Sequence, residues 1–346
     1  VFSFQKEATN IMIKVENLTK EYTVKIKKPG LTESLKGLVK PEYQTKYALK
    51  QVSFELSPGQ TVGLIGANGA GKTTLVKILS GIIPPSSGKA SVSHFIPWER
   101  QPSFQKSMSL IMGQKAQLWW DLPASDCFLL LQKIYRIPNP DFQVQLNRLV
   151  EIMGVERVLN TQIRRLSLGE RMKMELVASL LHKPSIIFLD EPTIGLDAIS
   201  QRAMRQFLKE YQKENQPLIL LTSHYMEDIE DLCTNVLVLH QGELVFNGAL
   251  SQIKSQMQPD KLISVLCSND LAAWAELSNF QTTFSKMTIM ESNAQEGLLK
   301  LKAPKEILHD IVRHLYDKLN INDISIEDED ISLSIQKMIN SSRRNG

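Results

Sequence analysis

The sequence predicts an α/β fold: a mainly parallel sheet covered on both faces, interrupted by a helical subdomain and followed by a smaller α+β module. Three observations predict it. Short, continuous apolar runs at 62–65, 185–189 (SIIFL) and 217–222 (PLILLT) read as buried parallel strands, and helical patterns lie between them. From Ala124 to about Leu166 the apolar spacing is helical throughout, which places a helical insert inside the α/β core. After Gln258 the texture changes to β-α-β-β-α-β, the order of a ferredoxin-like module.

Each element follows from its own residues. MIKVENL (12–18) alternates apolar and polar side chains and reads as a strand. Residues 23–46 break the pattern with Lys25, Lys27, Lys28, Lys36, Lys40 and Lys46 against Glu33 and Glu42. Leu31, Leu35, Leu38 and Val39 fall on one helical face within this insert. Such a helix either lies on a membrane surface or a partner, or packs on its own domain. ALKQVSFEL (48–56) alternates again, and Pro58-Gly59 turns the chain into the strand at 62–65. Residues 81–89 are turn-rich, and short strands and loops continue to about Met112. A strong helix runs from Ser167 to His182, and another covers 199–214. Segments 236–240 and 243–246 flank Gln241-Gly242 as a hairpin. In the C-terminal part, strands are expected at 262–267, 283–290, 297–303 and 321–326, with helices at 271–277, 304–319 and 331–340. The expected domains are 12–256, with the helical subdomain at about 115–182, and 259–340.

Composition narrows the class. With 42% hydrophobic and 22% charged residues in 346, the chain can bury at least one large core. No run of 18 uncharged apolar residues offers a membrane span, and the N-terminus lacks a basic-then-apolar export pattern. Cys127, Cys233 and Cys267 are isolated, so neither a disulfide framework nor a zinc site is expected. A net charge of +3 is too small to point to nucleic acid.

The chemistry begins at 61–78, TVGLIGANGAGKTTLVKI, where G-x-x-x-x-G-K-[ST] joins a strand to a helix. Glycine permits positive φ and close backbone approach, so successive N–H groups can line an anion site at a helix start. Gly66, Ala67, Asn68, Gly69, Ala70, Gly71, Lys72, Thr73 and Thr74 are thus candidate triphosphate-binding residues. Lys72 would reach the β- and γ-phosphates, and Thr73 would hold Mg²⁺. Asp190 ends the strand SIIFL and is followed by Glu191. At the C-terminal end of a parallel strand, Asp190 would serve the Mg²⁺ shell and Glu191 would orient or deprotonate the attacking water. His224 follows the strand at 217–222 at the same sheet edge. Gln114, in GQKAQLWWDLP, offers a carbonyl to Mg²⁺ or water, and Gln117 is its rival. Ser167-Leu168-Gly169-Glu170 reads locally as an S-x-x-E capping box, and a Ser/Gly helix start is also a phosphate site.

Taken together, the set resembles the nucleotide-binding subunit of ATP-binding-cassette (ABC) transporters over residues 12–250. GANGAGKT resembles that family's Walker A motif, Gln114 its Q-loop, LSLGE its signature, SIIFLDEP its Walker B motif, IGLD its D-loop and His224 its switch. The resemblance implies a P-loop NTPase: a RecA-like core with an antiparallel β subdomain and an inserted helical subdomain. It implies ATP and Mg²⁺ as cofactors, with Thr73, Gln114 and Asp190 at the metal and Glu191 and His224 catalytic. It implies that Tyr22 stacks on adenine in preference to Tyr47. It further implies a head-to-tail homodimer in which Ser167, Gly169 and Glu170 of one copy complete the site of the other. Leu168 and Glu170 depart from the usual LSGGQ, so Leu168 must point away from the phosphates and Glu170 must turn back onto its own helix. Ile194 stands where Ser is usual. LSLGERMK, QLWWDLP and DEPTIGLD look most like the ABC-2-type exporters, which implies a separate transmembrane subunit, export, and a place on the cytoplasmic face of the membrane. Trp119 and Trp120 are read either as part of a partner groove or as helical-subdomain core. The competing function is a soluble ABC ATPase acting on ribosomes, DNA or cofactor assembly; this chain has one cassette and no long coiled coil.

Overall fold

The computed structural model describes residues 11–25, 43–113, 116–256, 260–267, 283–293 and 296–328. They fall into two compact units, one ending at Ala249 and the other beginning at Leu250.

Among the described residues the first unit contains two sheets. Strands β1 (Ile13–Lys25), β2 (Tyr43–Leu56) and β4 (Ser87–Val92) form an antiparallel sheet in the order β2-β1-β4. The second sheet has six strands: β3 (Thr61–Ile65), β5 (Met108–Met112), β6 (Ile186–Asp190), β7 (Leu218–Thr222), β8 (Asn235–His240) and β9 (Glu243–Ala249). Its order is β5-β6-β7-β3-β8-β9; every pair is parallel except β8 with β9. All five residues of β7 are buried, which is why these strands read as unbroken apolar runs. Helix α1 (Lys72–Leu79) buries Leu75, Val76, Ile78 and Leu79 in a cluster shared by both sheets. That cluster takes Leu18, Leu49 and Phe54 from one sheet and Leu64, Phe188, Leu220 and Leu237 from the other. The phosphate loop is therefore held between a strand and a helix that are each packed on both sides.

The other α-helices among the described residues of this unit are α2 (Pro102–Ser107), α3 (Ala124–Tyr135), α4 (Asn139–Met153), α5 (Leu168–Leu180), α6 (Ala198–Asn215) and α7 (Met226–Leu232). Helices α3, α4 and α5 follow one another between β5 and β6. Two expectations are corrected at the N-terminal side. The pattern break expected from Thr23 onward, and the strand start expected at Ala48, both give way to longer strands. Tyr22 pairs with Lys46 and Lys25 with Tyr43, so the two strands run on past their buried ends. The pairing is made by the backbone, and the side chains of Tyr43 and Val24 stay exposed, so no hydrophobic alternation advertises it. The amphipathic helix expected around 31–39 lies outside the described residues.

In the second unit, helix α8 (Leu250–Gln256) precedes β10 (Lys261–Cys267), β11 (Thr288–Asn293), β12 (Leu298–Ala303), α9 (Leu308–Lys318) and β13 (Ile321–Asp328). The sheet order is β11-β12-β10-β13, and every pair is antiparallel. Ile263 and Val265 alternate on β10, Leu299 and Leu301 on β12, and α9 adds Ile311 and Leu315, one turn apart on one face. The strand expected at 283–290 is shorter and later. Residues ahead of Thr288 turn back, Met287 N–H donating to the Phe284 carbonyl at 2.9 Å, so that both side chains meet the core from a turn. The helices expected at 271–277 and 331–340 lie outside the described residues.

Candidate functional site

The central strands end at one edge and deliver the candidate residues there. β3 runs into the phosphate loop, β6 ends at Asp190, and β7, hydrogen-bonded between them, runs into His224. The register puts Asp190 opposite Thr222, and Thr222 opposite Leu64.

Within the loop, Ala67, Asn68 and Gly69 form an exposed tip, while Thr73 and Thr74 at the start of α1 are half-buried. Gly69 has φ +78° and open space where a Cβ would go, so conformation alone demands glycine there. Gly66 and Gly71 have a different reason. A Cβ on Gly66 would come within 2.4 Å of the Leu239 carbonyl oxygen, and one on Gly71 within 2.4 Å of that of Ala48. These two glycines keep the loop pressed against neighbouring strands, whereas the motif suggested that they make room for a ligand. The loop is also tied to the β8–β9 turn, where Gly242 N–H donates to the Ala70 carbonyl at 3.0 Å. The Lys72 ammonium donates to the carbonyl oxygens of Gly66 (2.7 Å) and Ala67 (3.3 Å). Burial lowers its pKa below the ordinary lysine value, and the charges of Glu191 and Asp190 partly restore it.

Across the loop, the Thr73 hydroxyl donates to Asp190 Oδ1 at 3.3 Å and the Thr222 hydroxyl to the same oxygen at 2.7 Å. Glu191 adopts φ 57°, a left-handed conformation that costs a non-glycine residue about 1 kcal/mol. Its N–H is anchored to Thr222, at 3.0 Å from the carbonyl and 3.1 Å from the hydroxyl oxygen. The strained turn brings its carboxylate to His224: Glu191 Oε1 lies 2.7 Å from His224 Nε2. A hydroxyl, two carboxylates, an imidazole and an ammonium thus converge on one sheet edge.

Two residues that the sequence did not single out pin this edge. Gly113 N–H donates to the Asp190 carbonyl at 2.9 Å, and a Cβ on Gly113 would sit 2.0 Å from the Glu191 carbonyl oxygen. Gly113→Ala is therefore expected to push the Glu191 turn away, costing about 1–3 kcal/mol of stability by overpacking together with most of the turnover. A thermal melt and a turnover assay on the same preparation check it; a variant with parental values in both would refute the contact. Glu175 of α5 is the second: its Oε1 accepts the N–H groups of Gln117 (2.8 Å) and Leu118 (3.2 Å). Burial pushes its carboxyl above the usual range, and those two N–H groups oppose the shift. The Gln117 amide also donates to the Leu110 carbonyl at 2.8 Å, so this rival of Gln114 is committed to β5. Gln114 itself lies outside the described residues.

The two tyrosines are separated by the strand pleat. Lys20 and Tyr22 share a face of β1, the ammonium lying 5.3 Å from the ring centre. Lys20 pairs with Leu49, whose side chain lies against Gly71 of the phosphate loop. Tyr47 pairs with Glu21 on the opposite face, beside Thr19 and Glu243. Tyr22 thus shares its face of the strand with Lys20, and Tyr47 lies on the other face.

Ser167 caps α5 in the predicted manner. Glu170 Oε2 accepts the Ser167 N–H at 2.9 Å and its hydroxyl hydrogen at 2.7 Å, while the Ser167 oxygen accepts the Glu170 N–H. These bonds from Ser167 hold the Glu170 carboxyl below its usual pKa and turn its charge back onto the helix. Leu168 packs toward Gly195, and Gly169 lies against Ser200 at the start of α6. Asp197 caps α6 by accepting the Ser200 N–H at 2.9 Å. Trp119 and Trp120 are 42% and 49% exposed, so the core reading of this pair fails. The Arg171 guanidinium sits over the Trp120 ring, 5.4 Å from its centre. Near them a groove of about 890 Å³ opens between β5 and α3, with Met108, Leu110, Leu131 and Ile134 in its walls.

With this geometry in view, the likenesses to known proteins are informative. The family model described as "ABC transporter" matches residues 49–194. An ABC transporter ATP-binding protein of Methanocaldococcus jannaschii is 30% identical over 228 residues, 64% of this chain and 82% of that protein. The linearmycin resistance ATP-binding protein LnrL of Bacillus subtilis is 28% identical over 230 residues, 66% of this chain and 73% of that one. Among solved structures, the dimeric post-hydrolysis state of an ATP-binding cassette bound to ADP and Pi superposes with a TM-score of 0.57 at 22% identity. It covers 69% of this chain and 99% of that one, which establishes the fold.

Proposed function

The chain belongs to the ATP-binding proteins of the ABC transporter family, and from that premise we propose that it hydrolyses ATP to drive a separate transmembrane subunit, in the direction of export. The observation that carries the hydrolytic step is the Glu191–His224 contact of 2.7 Å beside the Thr73–Asp190 pair, at the mouth of the phosphate loop. Glu191 takes a proton from the attacking water, and the His224 imidazole holds that carboxylate in place. Lys72 and the loop N–H groups carry the β- and γ-phosphates, Gln114 completes the water or metal contacts, and Tyr22 stacks on the base. Mg²⁺ fits the donors: Thr73 and Asp190 bring two oxygens to within 3.3 Å of each other. Among the described residues no group of three or more His, Cys, Asp or Glu forms a metal cage. One carboxylate, one hydroxyl and nucleotide oxygens are the hard, sparse set that Mg²⁺ takes. The ion would supply charge neutralisation on the phosphates; positioning the water is the work of Glu191.

Ser167 and Gly169 begin a helix whose own-chain neighbours are Glu170, Gly195 and Ser200, so the reading assigns them to the nucleotide of a second copy in a head-to-tail dimer. The dimeric cassette among the similar structures supports this arrangement. Among the described residues no helix is long and apolar enough to cross a membrane, which supports a peripheral place on the cytoplasmic face through a separate ABC-2-type subunit. The exposed Trp119 and Trp120 and the nearby groove support a docking surface for that subunit. The likeness to a resistance ATP-binding protein supports export. We assign residues 12–256 to the ATPase and 259–340 to an accessory module. The strand order of the second unit, fourth-first-third-second in chain sequence, supports a ferredoxin-like module, with a regulatory or dimer-stabilising role as its simplest use.

The test uses the full chain. It is expected to hydrolyse ATP with Mg²⁺, to dimerise when ATP is present, and to bring a polytopic membrane protein out of detergent-solubilised membranes. A chain that binds no ATP overturns the reading. An active ATPase that captures only soluble partners keeps the enzyme and removes the transporter role.

A further inference from the structure

Asp228 takes no part in the chemistry above, yet its side chain is wholly buried and three donors surround it. On its Oδ2 converge the hydroxyls of Thr193, at 2.5 Å, and Ser223, at 2.6 Å. On Oδ1 it takes the guanidinium of Arg205, through Nη1 at 3.0 Å. These donors come from three different segments. Thr193 lies two residues after Glu191. Ser223 immediately precedes His224. Arg205 projects from α6, and it is itself 7% exposed.

We propose that Asp228 is a positioning residue that locks the Glu191 turn and the His224 turn into one unit, so that the two side chains meet in register for hydrolysis. The inference rests on the assignment of Glu191 and His224 to that step. Neither turn fixes the pair by itself. Glu191 sits in a left-handed conformation and His224 lies beyond the end of β7, so their 2.7 Å contact bridges two loops. A single carboxylate oxygen gripping one hydroxyl from each loop removes their relative freedom. A carboxylate acceptor shielded from water strengthens hydrogen bonds of this kind. Ser223 relays the restraint further: its oxygen accepts the Tyr225 N–H at 3.0 Å, which fixes the backbone on both sides of His224.

The network also reaches the segment that packs on the signature helix. Arg205 spans three carboxylates of α7, with Nη2 3.1 Å from Glu227 and Nε 3.1 Å from Asp231 besides its bond to Asp228. From the same helix Gln201 donates to the carbonyls of Thr193 (3.4 Å) and Leu196 (3.2 Å). A shift of α6, which carries Ser200 against Gly169, therefore pulls on the same carboxylate that aligns the hydrolytic pair. Buried networks of this kind act as a unit, so a defect at one member is felt at the others.

The test is steady-state ATP hydrolysis by the purified full chain with Mg²⁺, for the parent, Asp228→Asn, Thr193→Val and Thr193→Ser, with a thermal melt of each. A misplacement of the pair predicts that Asp228→Asn and Thr193→Val lower kcat by about 10- to 100-fold while KM for ATP stays within about twofold. Thr193→Ser keeps the donor and is expected to restore kcat. The serine variant separates alignment from packing, because it removes a buried methyl group and keeps the hydroxyl. If Asp228→Asn does not fold, the Val and Ser pair still decides. Folded Thr193→Val with parental kcat overturns the inference, as does Thr193→Ser that is as slow as Thr193→Val. A parent chain without ATPase activity instead overturns the reading of Glu191 and His224.

Discussion

Glu191→Gln is expected to leave ATP binding intact, to lower turnover by about 100- to 10,000-fold, and to hold the chain as an ATP-bound dimer. The substitution keeps the shape of the side chain and removes only its basicity. An amide oxygen can still meet the His224 imidazole, and the N–H anchors to Thr222 belong to the backbone, so the strained turn survives. Lys72, Thr73 and the loop N–H groups are untouched, so affinity should stay within a few-fold of the parent. With binding intact and hydrolysis blocked, each site remains filled. The half-site at Ser167 and Gly169 of the other copy then stays engaged, and the dimer no longer dissociates by turnover. Light scattering with and without ATP, beside a phosphate-release assay, reads both effects. Full turnover by the variant would remove Glu191 from the role of base. Lost turnover without a dimer would keep the base and remove the shared site.

Much of this arrangement was legible because its signals are local. The phosphate loop needs a particular backbone path over a handful of residues, and the SIIFL and PLILLT runs announce strands buried on both faces. The capping box at Ser167 and Glu170 was readable for the same reason: both partners lie within one helical turn. What was missed is non-local or solvent-facing. Gly113 carries no turn signature, and its need for glycine comes from the Glu191 carbonyl across a parallel strand pair. Asp228 sits in MEDIEDL, whose acidic residues look like an ordinary solvated helix start; only the fold reveals that three of them face Arg205 and that Asp228 is wholly buried. Glu175 falls in a helix as one more charged residue, and its two N–H partners lie more than fifty positions away. The overrun of the first two strands was invisible for the opposite reason, since backbone pairing of exposed residues leaves no trace in hydropathy. The glycines of the loop motif also have a reason that the motif does not state. Gly66 and Gly71 answer to Leu239 and Ala48 and so hold the loop against its neighbours.

Lys72→Met should weaken ATP binding by about 10- to 100-fold while leaving a folded chain. A charged hydrogen bond of this kind contributes about 1.5–3 kcal/mol, and each 1.4 kcal/mol is a factor of ten in affinity. Methionine matches the length of the stem, so the packing of α1 is retained. The two loop carbonyls at Gly66 and Ala67 lose their ammonium partner, but they belong to a loop whose tip is open to water. The pH dependence separates loss of the charge from damage to the loop. Burial holds the Lys72 pKa below its ordinary value of 10.5, so the folded parent binds fewer protons than the unfolded chain across that window. Parent stability therefore gains a contribution as pH rises from the depressed value toward 10.5, and this gain is absent from Lys72→Met. Paired thermal melts over the alkaline range should show the parent improving relative to the variant, with titration calorimetry of ATP at neutral pH giving the affinity. If the two melting curves keep a constant offset at every pH while affinity falls, the lysine is not desolvated as the geometry requires. If affinity is unchanged, the ammonium does not reach the phosphates, and the loop would owe its anion site to its backbone alone.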